Sequence, residues 1–571
     1  MPDQHGTNLF TSDPGLAELL ALYLPAPLLA HLQPHLVQLG ALAGGVLDSL
    51  AHTADKHPPE LQHRTRSGMD IQRVVKHPAY VELERVAFSE LGLAAMSHRP
   101  GVLGWHASFP PAAKYALTYL FVQAEFGVCC PLSMTDSLTR TLRKFAAPEL
   151  LARYVPSLTT QVFDELSQGA MFMTEQGAGS DVAATATRAV PDGDAYQLHG
   201  DKWFCSNPDA ALAMVLARIE GAPAGMKGVS LFLLPRVLPD GSHNTHRIVR
   251  LKDKLGTRSM ASGEIQLAGA RAWLVGDAGR GFVQMADMVN NSRLSNGVRA
   301  AGLMRRAYSE ALFVATHRQA FNKRLIDMPL MRRQLVKLLL PTEQARSMVF
   351  QTADALRRAD AGVAGVAGDE SAHALIRILT PLIKFRACRD ARKVTGDAME
   401  VRGGCGYIED WADPRLVRDA HLGSIWEGTS NIVALDVLRA IRKDDALPAL
   451  HAHLLGLLTR TALHPVARQM FETALESAST QAKAVADAAQ GGEHLARQVA
   501  SALYHVTSAI TMAWEASETR NAQRMRWAQL VLRERFLATR QLTYDVSEPV
   551  WMSTVLGTET QDSEVAEVNL F

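Results

Sequence analysis

"MFMTEQGAGSDV", residues 171–182, stands where the texture of the chain changes. Before it, from about residue 10 to 165, apolar residues recur at i, i+3 and i+4. Runs such as "GLAELLALYLPAPLLAHL" and "YALTYLFVQAEFG" have the spacing of amphipathic helices. Proline breaks them at Pro25, Pro27, Pro58–Pro59 and Pro110–Pro111. From about 168 to 282, short runs such as "AYQLHGDKWFC", "AMVLARI", "GVSLFLLP" and "GEIQLAGARAWLV" alternate with turns such as "PDGD" and "PDGSHN". That pattern predicts a small antiparallel barrel or sandwich. Helical spacing returns over 283–442, as in "MRRQLVKLLLPTEQARSMVFQTADALRRA", with "GVAGVAGDES" (362–371) as a helix–helix loop. Residues 443–571 read as further helices broken at Gly491–Gly492. The order predicts an α+β chain in four parts: an N-terminal helical domain (1–167), a β-barrel domain (168–282), a four-helix bundle (283–442) and an extra helical domain (443–571).

Bulk properties agree with such an array. A chain of 571 residues exceeds what one hydrophobic core supports. It is 47% hydrophobic and 20% charged, ordinary for a globular protein. A net charge of +1 selects no polyanionic partner. Five cysteines (Cys129, Cys130, Cys205, Cys388, Cys405) form no disulfide framework and no zinc spacing, so no metal is expected. The N-terminal residues lack the charged and apolar regions of a signal peptide, and no apolar run reaches membrane-spanning length. The expectation is a cytoplasmic protein without a membrane partner.

Several chemistries are excluded by pattern. "GAGSDV" (177–182) and "GCGYIE" (404–409) start as dinucleotide fingerprints, but Val182 and Glu409 stand where the last glycine belongs. There is no P-loop, no H-E-x-x-H and no G-x-S-x-G.

Five stretches remain as site candidates. In 171–182, Thr174, Gly179 and Ser180 sit in a turn whose backbone can approach a ligand closely, or which is simply Gly-rich. "DKWFCSNPDA" (201–210) sets Trp203 and Phe204 beside Ser206, suited to a flat polar-edged ring or to a barrel core. "HRQAFNKRL" (317–325) has Arg318 and Phe321 at i and i+3. A guanidinium suits a pyrophosphate, though such a pair is commonly surface. "EVRGGCGYIED" (400–410) carries Gly403–Gly404, which also suits a helix C-cap. "SIWEGTSNIVALDVLRAI" (424–441) puts Glu427 between an apolar pair and a helix start.

In this order, and with "LGTRS" (255–259) and "GRGF" (279–282), the stretches resemble the acyl-CoA dehydrogenase flavoprotein family. "VKHPAY" (75–80), "PDGSHNTHRIVRLKDKLGTRS" (239–259), "MRRAYS" (304–309) and the extra C-terminal helices resemble its alkylation-response branch, which extends the likeness over nearly the whole chain. The resemblance implies FAD between the β-domain and the bundle. Thr174, Gly179, Ser180, Trp203, Phe204, Ser206, Thr429 and Asn431 match FAD contacts. Arg318, Phe321, Gly403 and Gly404 match residues that reach the cofactor of a neighbouring subunit. Glu427 matches the catalytic base, and Ser180, Trp426 and Gly428 flank the acyl-CoA substrate. Family members are homotetramers and pass electrons to an electron-transferring flavoprotein.

Two positions depart from or qualify the pattern. Glu400 replaces the usual glutamine before the glycine pair, and a carboxylate there must avoid a pyrophosphate. Ser292, in "NNSRL", occupies the position at which some members carry their base, which leaves Glu427 as the matched candidate. The chemistry needs such a group: oxidation of a saturated thioester removes the α-hydrogen as a proton and the β-hydrogen as hydride. The expected function is therefore FAD-dependent α,β-dehydrogenation of an acyl-CoA.

The same branch is linked to DNA binding through a basic C-terminal domain. Residues 443–571 carry eleven Lys and Arg against fifteen Asp and Glu, a net charge of −4. Only 520–540, with six arginines and one glutamate, reads as a phosphate-facing strip, and a solvated helix face explains it as well. DNA-associated flavoprotein and non-catalytic acyl-CoA binder stand as the alternative readings.

Overall fold

The computed structural model describes residues 2–363, 370–488, 492–537 and 555–556. The chain folds into two compact units that each collect distant segments. One comprises Met1–Gly44, Pro111–Gln123 and Asn296–Phe571; the other comprises Gly45–Pro110 and Ala124–Ser295.

The second unit holds the β region. A small hairpin, β1 (Glu60–Arg64) and β2 (Asp70–Val75), pairs antiparallel, and it interrupts a segment whose sequence reads as helical. Its signal is short, an alternating "ELQHR" before a Ser-Gly turn, and Leu61 and Val74 pack into the main β core. That core lies in a seven-stranded sheet of β3 (Gly169–Phe172), β4 (Arg188–Asp192), β5 (Ala195–Ser206), β6 (Leu212–Ile219), β7 (Val229–Pro235), β8 (His246–Leu251) and β9 (Ser262–Leu274). Strands β6, β4, β5, β9 and β7 pair in turn, and β7 pairs back onto β6, so the sheet closes on itself as a barrel. Most pairings are antiparallel as the sequence suggests; β3–β6 and β4–β6 are parallel, because β3 and β4 lie in succession along one edge of β6.

Residue choice explains the closure. The first six residues of β6 and all of β7 are buried, the continuous apolar pattern of strands covered on both sides. Phe172, Leu198, Val215, Phe232, Leu234 and Ile265 fill the interior. The buried helix Cys129–Phe145 packs on β3: the Gly169 N–H donates to Thr135 Oγ1 at 2.9 Å, and a Cβ on Gly169 would come 3.0 Å from the Thr135 Cα. Only glycine admits that approach without displacement.

The first unit is helical. Its long helices run Pro329–Val363 and Glu370–Arg402, followed by Ala412–Gly423 and Ser430–Lys443. Pro341 and Pro381 lie inside the two long helices, which run on through them. The loop expected at 362–371 falls largely on residues outside the described ones. The part of helix Gly281–His317 that belongs to this unit packs at Gly297, where a Cβ would lie 2.8 Å from the Ile383 side chain.

Beyond residue 443 come helices Ala446–Arg460, Pro465–Asp487, Ala496–Thr519 and Ala522–Val531. A buried ionic network fastens them to the bundle. Arg524 Nη1 donates to Glu343 at 2.8 Å, and Arg524 Nη2 to Glu515 at 2.6 Å; Arg346 pairs with Asp13 at 2.7 Å. This takes Arg524 out of the arginine strip. Arg524 is buried as a structural ion pair, Arg533 pairs with Glu534, and Arg540 lies outside the described residues. Of the other described arginines in 520–540, Arg520 and Arg535 are exposed and Arg526 is half-buried.

Candidate active site

The candidate residues fall into three groups, each inside one unit. The first lies at one end of the barrel. Thr174 follows β3, and its carbonyl accepts a hydrogen bond from the Trp203 N–H near the end of β5 at 2.8 Å. That bond ties the Gly-rich loop to the aromatic strand, which the sequence placed 29 residues apart. Gly179 and Ser180 are exposed, and a Cβ on Gly177 or Gly179 would meet no atom within 4 Å. Phe204 is 59% exposed, Trp203 is half-buried, and the Ser206 hydroxyl lies 3.3 Å from that of Ser262. An exposed aromatic, an open glycine loop and hydroxyls at the rim fit a planar, polar-edged ring system.

A buried pair supports this loop from beneath. Lys202 Nζ, fully buried, donates to Glu175 Oε1 and to the Leu216 carbonyl, each at 2.7 Å. Glu175 also accepts from the N–H groups of Ala186 (2.7 Å) and Thr187 (3.1 Å) and from the Thr187 hydroxyl (2.6 Å). Burial alone would raise the Glu175 carboxyl; the Lys202 ammonium and these hydrogen bonds outweigh it and hold it below the usual carboxylate value. Burial pushes the Lys202 ammonium down, against the pull of Glu175. Beside them, Lys252 Nζ sits 3.4 Å from the Trp203 ring centroid while pairing with Glu264. Neither support was legible in the motifs, because each joins residues that no local spacing relates.

The second group is the turn after helix Ala412–Gly423. Glu427 has φ +55° and Gly428 φ +103°. A non-glycine residue in the left-handed region is uncommon and needs its surroundings to hold it. The turn is held: Lys384 Nζ donates to the Gly428 carbonyl, and Asn296 Nδ2 donates to Glu427 Oε2. Trp426 is half-buried with the Arg299 guanidinium 4.7 Å from its ring centroid. Thr429 is the N-cap residue of helix Ser430–Lys443, and Thr429 and Asn431 are both exposed. The Cys388 thiol lies within the electrostatic reach of Lys384, Arg299 and Glu427; burial pushes it up to about 11, so it stays a neutral thiol. In the other unit, Ser292 hydrogen-bonds Ser133 at 3.2 Å, so that helix position carries a hydroxyl pair and no acid.

The third group combines Arg318, Phe321, Gly403 and Gly404. Arg318 Nη1 donates to the Arg402 carbonyl at 3.1 Å, and the position of a Gly403 Cβ lies 3.4 Å from it. Gly403 has φ +73°, the left-handed conformation expected at a helix C-terminus. Phe321, φ +53°, stands 91% exposed in a tight two-residue hairpin between Gln319–Ala320 and Lys323–Arg324. Glu400 is exposed.

Among the described residues, no cluster of three His, Cys, Asp or Glu side chains suits a metal ion, and no helix is long and apolar enough to cross a membrane.

Comparison with known proteins decides the class. The acyl-CoA dehydrogenase C-terminal domain matches residues 279–442, the acyl-CoA dehydrogenase middle domain 170–270, and the N-terminal domain of the adaptive response protein AidB 1–165. The chain is 32% identical over 530 residues to acyl-CoA dehydrogenase family member 11 of Caenorhabditis elegans, covering 90% of this chain and 85% of that one. This chain belongs to the acyl-CoA dehydrogenase family. It is also 36% identical over 408 residues to an Escherichia coli K12 protein named as acyl-CoA dehydrogenase AidB, covering 69% of this chain and 71% of that one. The crystal structure of C. elegans ACDH-11 in complex with C11-CoA superposes with a TM-score of 0.87 at 29% identity, over 98% of this chain and 96% of that one. Acyl-CoA dehydrogenases are FAD-dependent oxidoreductases, and the open glycine loop beside exposed Phe204 fits a flavin.

Proposed function

We propose that this acyl-CoA dehydrogenase oxidises a saturated acyl-CoA at its α,β bond, with Glu427 as the base. The observation that carries the proposal is the Glu427 turn. A carboxylate on a left-handed backbone, held by Asn296 and by the Lys384 contact to Gly428, is a group that the fold orients at a conformational cost.

Each residue then has a task. Glu427 takes the α-hydrogen of the thioester as a proton. As the enolate charge develops on the thioester oxygen, the Gly428 N–H, next in the chain after the base, would donate to it. Trp426 limits water around the carboxylate. Bound FAD supplies the acceptor for the β-hydride. Thr174, Gly179, Ser180, Trp203, Phe204, Ser206, Thr429 and Asn431 would hold that FAD, with Arg318, Phe321, Gly403 and Gly404 serving the cofactor of a second copy in a homotetramer. Ser180 is the hydroxyl proposed to meet the substrate. An electron-transferring flavoprotein is the proposed acceptor of the electrons, and the domain division at 167, 282 and 442 belongs to the same reading.

The test is anaerobic titration of the FAD-loaded protein with a panel of straight and branched acyl-CoAs, following flavin absorbance. Glu427→Gln keeps FAD and is expected to lose bleaching by about 10²–10⁴-fold, the usual contribution of a general base. Bleaching at the unaltered rate removes Glu427 from the mechanism. Stoichiometric binding without bleaching in the unaltered protein would turn the reading to an acyl-CoA binder.

A further inference from the structure

Glu427 is held from a neighbouring helix by a residue that no motif marks. Asn296 lies on helix Gly281–His317, one turn beyond Ser292. It is 1% exposed, and its Nδ2 donates to Glu427 Oε2. Its backbone carbonyl faces the Cys388 thiol at 3.7 Å, so main chain and side chain are both packed. Its Oδ1 has no hydrogen-bond partner among the described residues. Two cations lie in the same neighbourhood: Lys384 reaches the Gly428 carbonyl, and Arg299 lies by the Trp426 ring.

We infer that Asn296 is a positioning residue of the base, holding one carboxylate oxygen of Glu427 so that the group is oriented towards the acyl α-carbon. A primary amide suits the task. Its NH2 donates, a carboxylate accepts, and the amide brings no net charge that would compete for the proton. A glutamate on a strained backbone has rotamers to lose, and a buried donor removes them before the substrate arrives. The inference rests on Glu427 being the base.

Its test reads proton removal without hydride transfer. The full-length FAD-loaded protein is incubated in D2O with an acyl-CoA whose β-carbon is replaced by sulfur, and α-hydrogen exchange is followed. Affinity for the same analogue is taken from the flavin spectrum. Asn296→Ala is expected to slow exchange about 10–100-fold, the worth of a hydrogen bond to a charged group, with affinity changed less than about threefold. Asn296→Asp, the same shape with an acceptor in place of the donor, is expected to lose more. Exchange at the unaltered rate in either folded variant overturns the inference, and so does a loss of affinity that equals the loss of rate. Glu427→Gln separates the two readings: if it exchanges as fast as the unaltered protein, the base assignment fails. If it is silent while both Asn296 variants exchange normally, only the positioning role fails.

Discussion

The turn that carries Glu427 and the loop Thr174–Ser180 are held by opposite means. The turn is constrained at its functional atoms: Asn296 bonds the carboxylate itself, and Lys384 the next carbonyl. The loop is constrained at its base, through Glu175 and Lys202 and the Trp203 N–H bond to the Thr174 carbonyl, and leaves Gly177, Gly179 and Ser180 open. A group that moves a proton needs its orientation fixed. A surface that receives a large planar ligand needs space, with the ligand completing the contacts. The contrast makes separable predictions: damage at the turn should appear in rate, and damage at the loop in cofactor retention.

The largest effect belongs to the turn. Glu427→Gln should remove catalysis while the protein stays yellow, and Asn296→Ala should follow at a smaller factor. Stability should barely respond in Glu427→Gln, because the amide keeps the size of the side chain and an acceptor for Asn296. A variant that lost FAD and rate together would erase the contrast.

The loop answers to its buried pair. Lys202→Met leaves Glu175 buried without its ammonium. Removing one partner of such a pair costs about 3–5 kcal/mol. Denaturant unfolding should show that loss, and FAD content should fall with it. The double variant Glu175→Gln, Lys202→Met should recover part of both, because no unpaired charge is then left. If the double variant is no better than Lys202→Met alone, the loop is anchored some other way.

Acid should release the same anchor. Glu175 is held below the usual carboxylate value, whereas in the unfolded chain it titrates at about 4.3. The native state therefore gains from this group above that pH, and the gain disappears as pH falls through the lowered native value. FAD release during acid titration should carry this step, and in Glu175→Gln the step should be absent, with weaker binding already at neutral pH. An identical acid profile in the variant would assign the step to another group.

What the sequence disclosed follows from how far each feature reaches along the chain. The helix–β–helix order and the Glu427 turn are local patterns. They were readable because periodicity and a Trp-Glu-Gly-Thr string each occupy a few adjacent residues. The β1–β2 hairpin was lost because strands of five and six residues inside helical surroundings give little alternation to detect. Asn296 and Glu427 are 131 residues apart, and Lys202 and Glu175 are 27, so no spacing rule relates them. Arg524 misled in the other direction. A linear charge count makes it part of a basic strip, but on its helix it points inward to Glu343 and Glu515. Composition registers the presence of a charge and says nothing of which face it occupies.

The smallest expected effect sharpens the contrast most. At Gly179 no atom lies within 4 Å of a would-be Cβ, and its φ is outside the left-handed region. Alanine there should cost the apo-protein nothing, and could stabilise it by about 0.4–1 kcal/mol through the unfolded state. At Gly428, φ +103° is a conformation that alanine resists, so the same substitution strains the turn in the empty protein. If the loop's space belongs to the flavin, Gly179→Ala should weaken FAD binding by about 3–10-fold, the cost of a modest steric intrusion of about 1 kcal/mol. Unfolding of the apo-protein and FAD titration of the same preparation read the two quantities separately. Unchanged FAD affinity would mean that the open space at Gly179 faces solvent and that the flavin is held elsewhere on the strand end. Lost stability without ligand would mean that the loop is packed in the empty protein, and the difference between a constrained turn and an open cradle would then disappear.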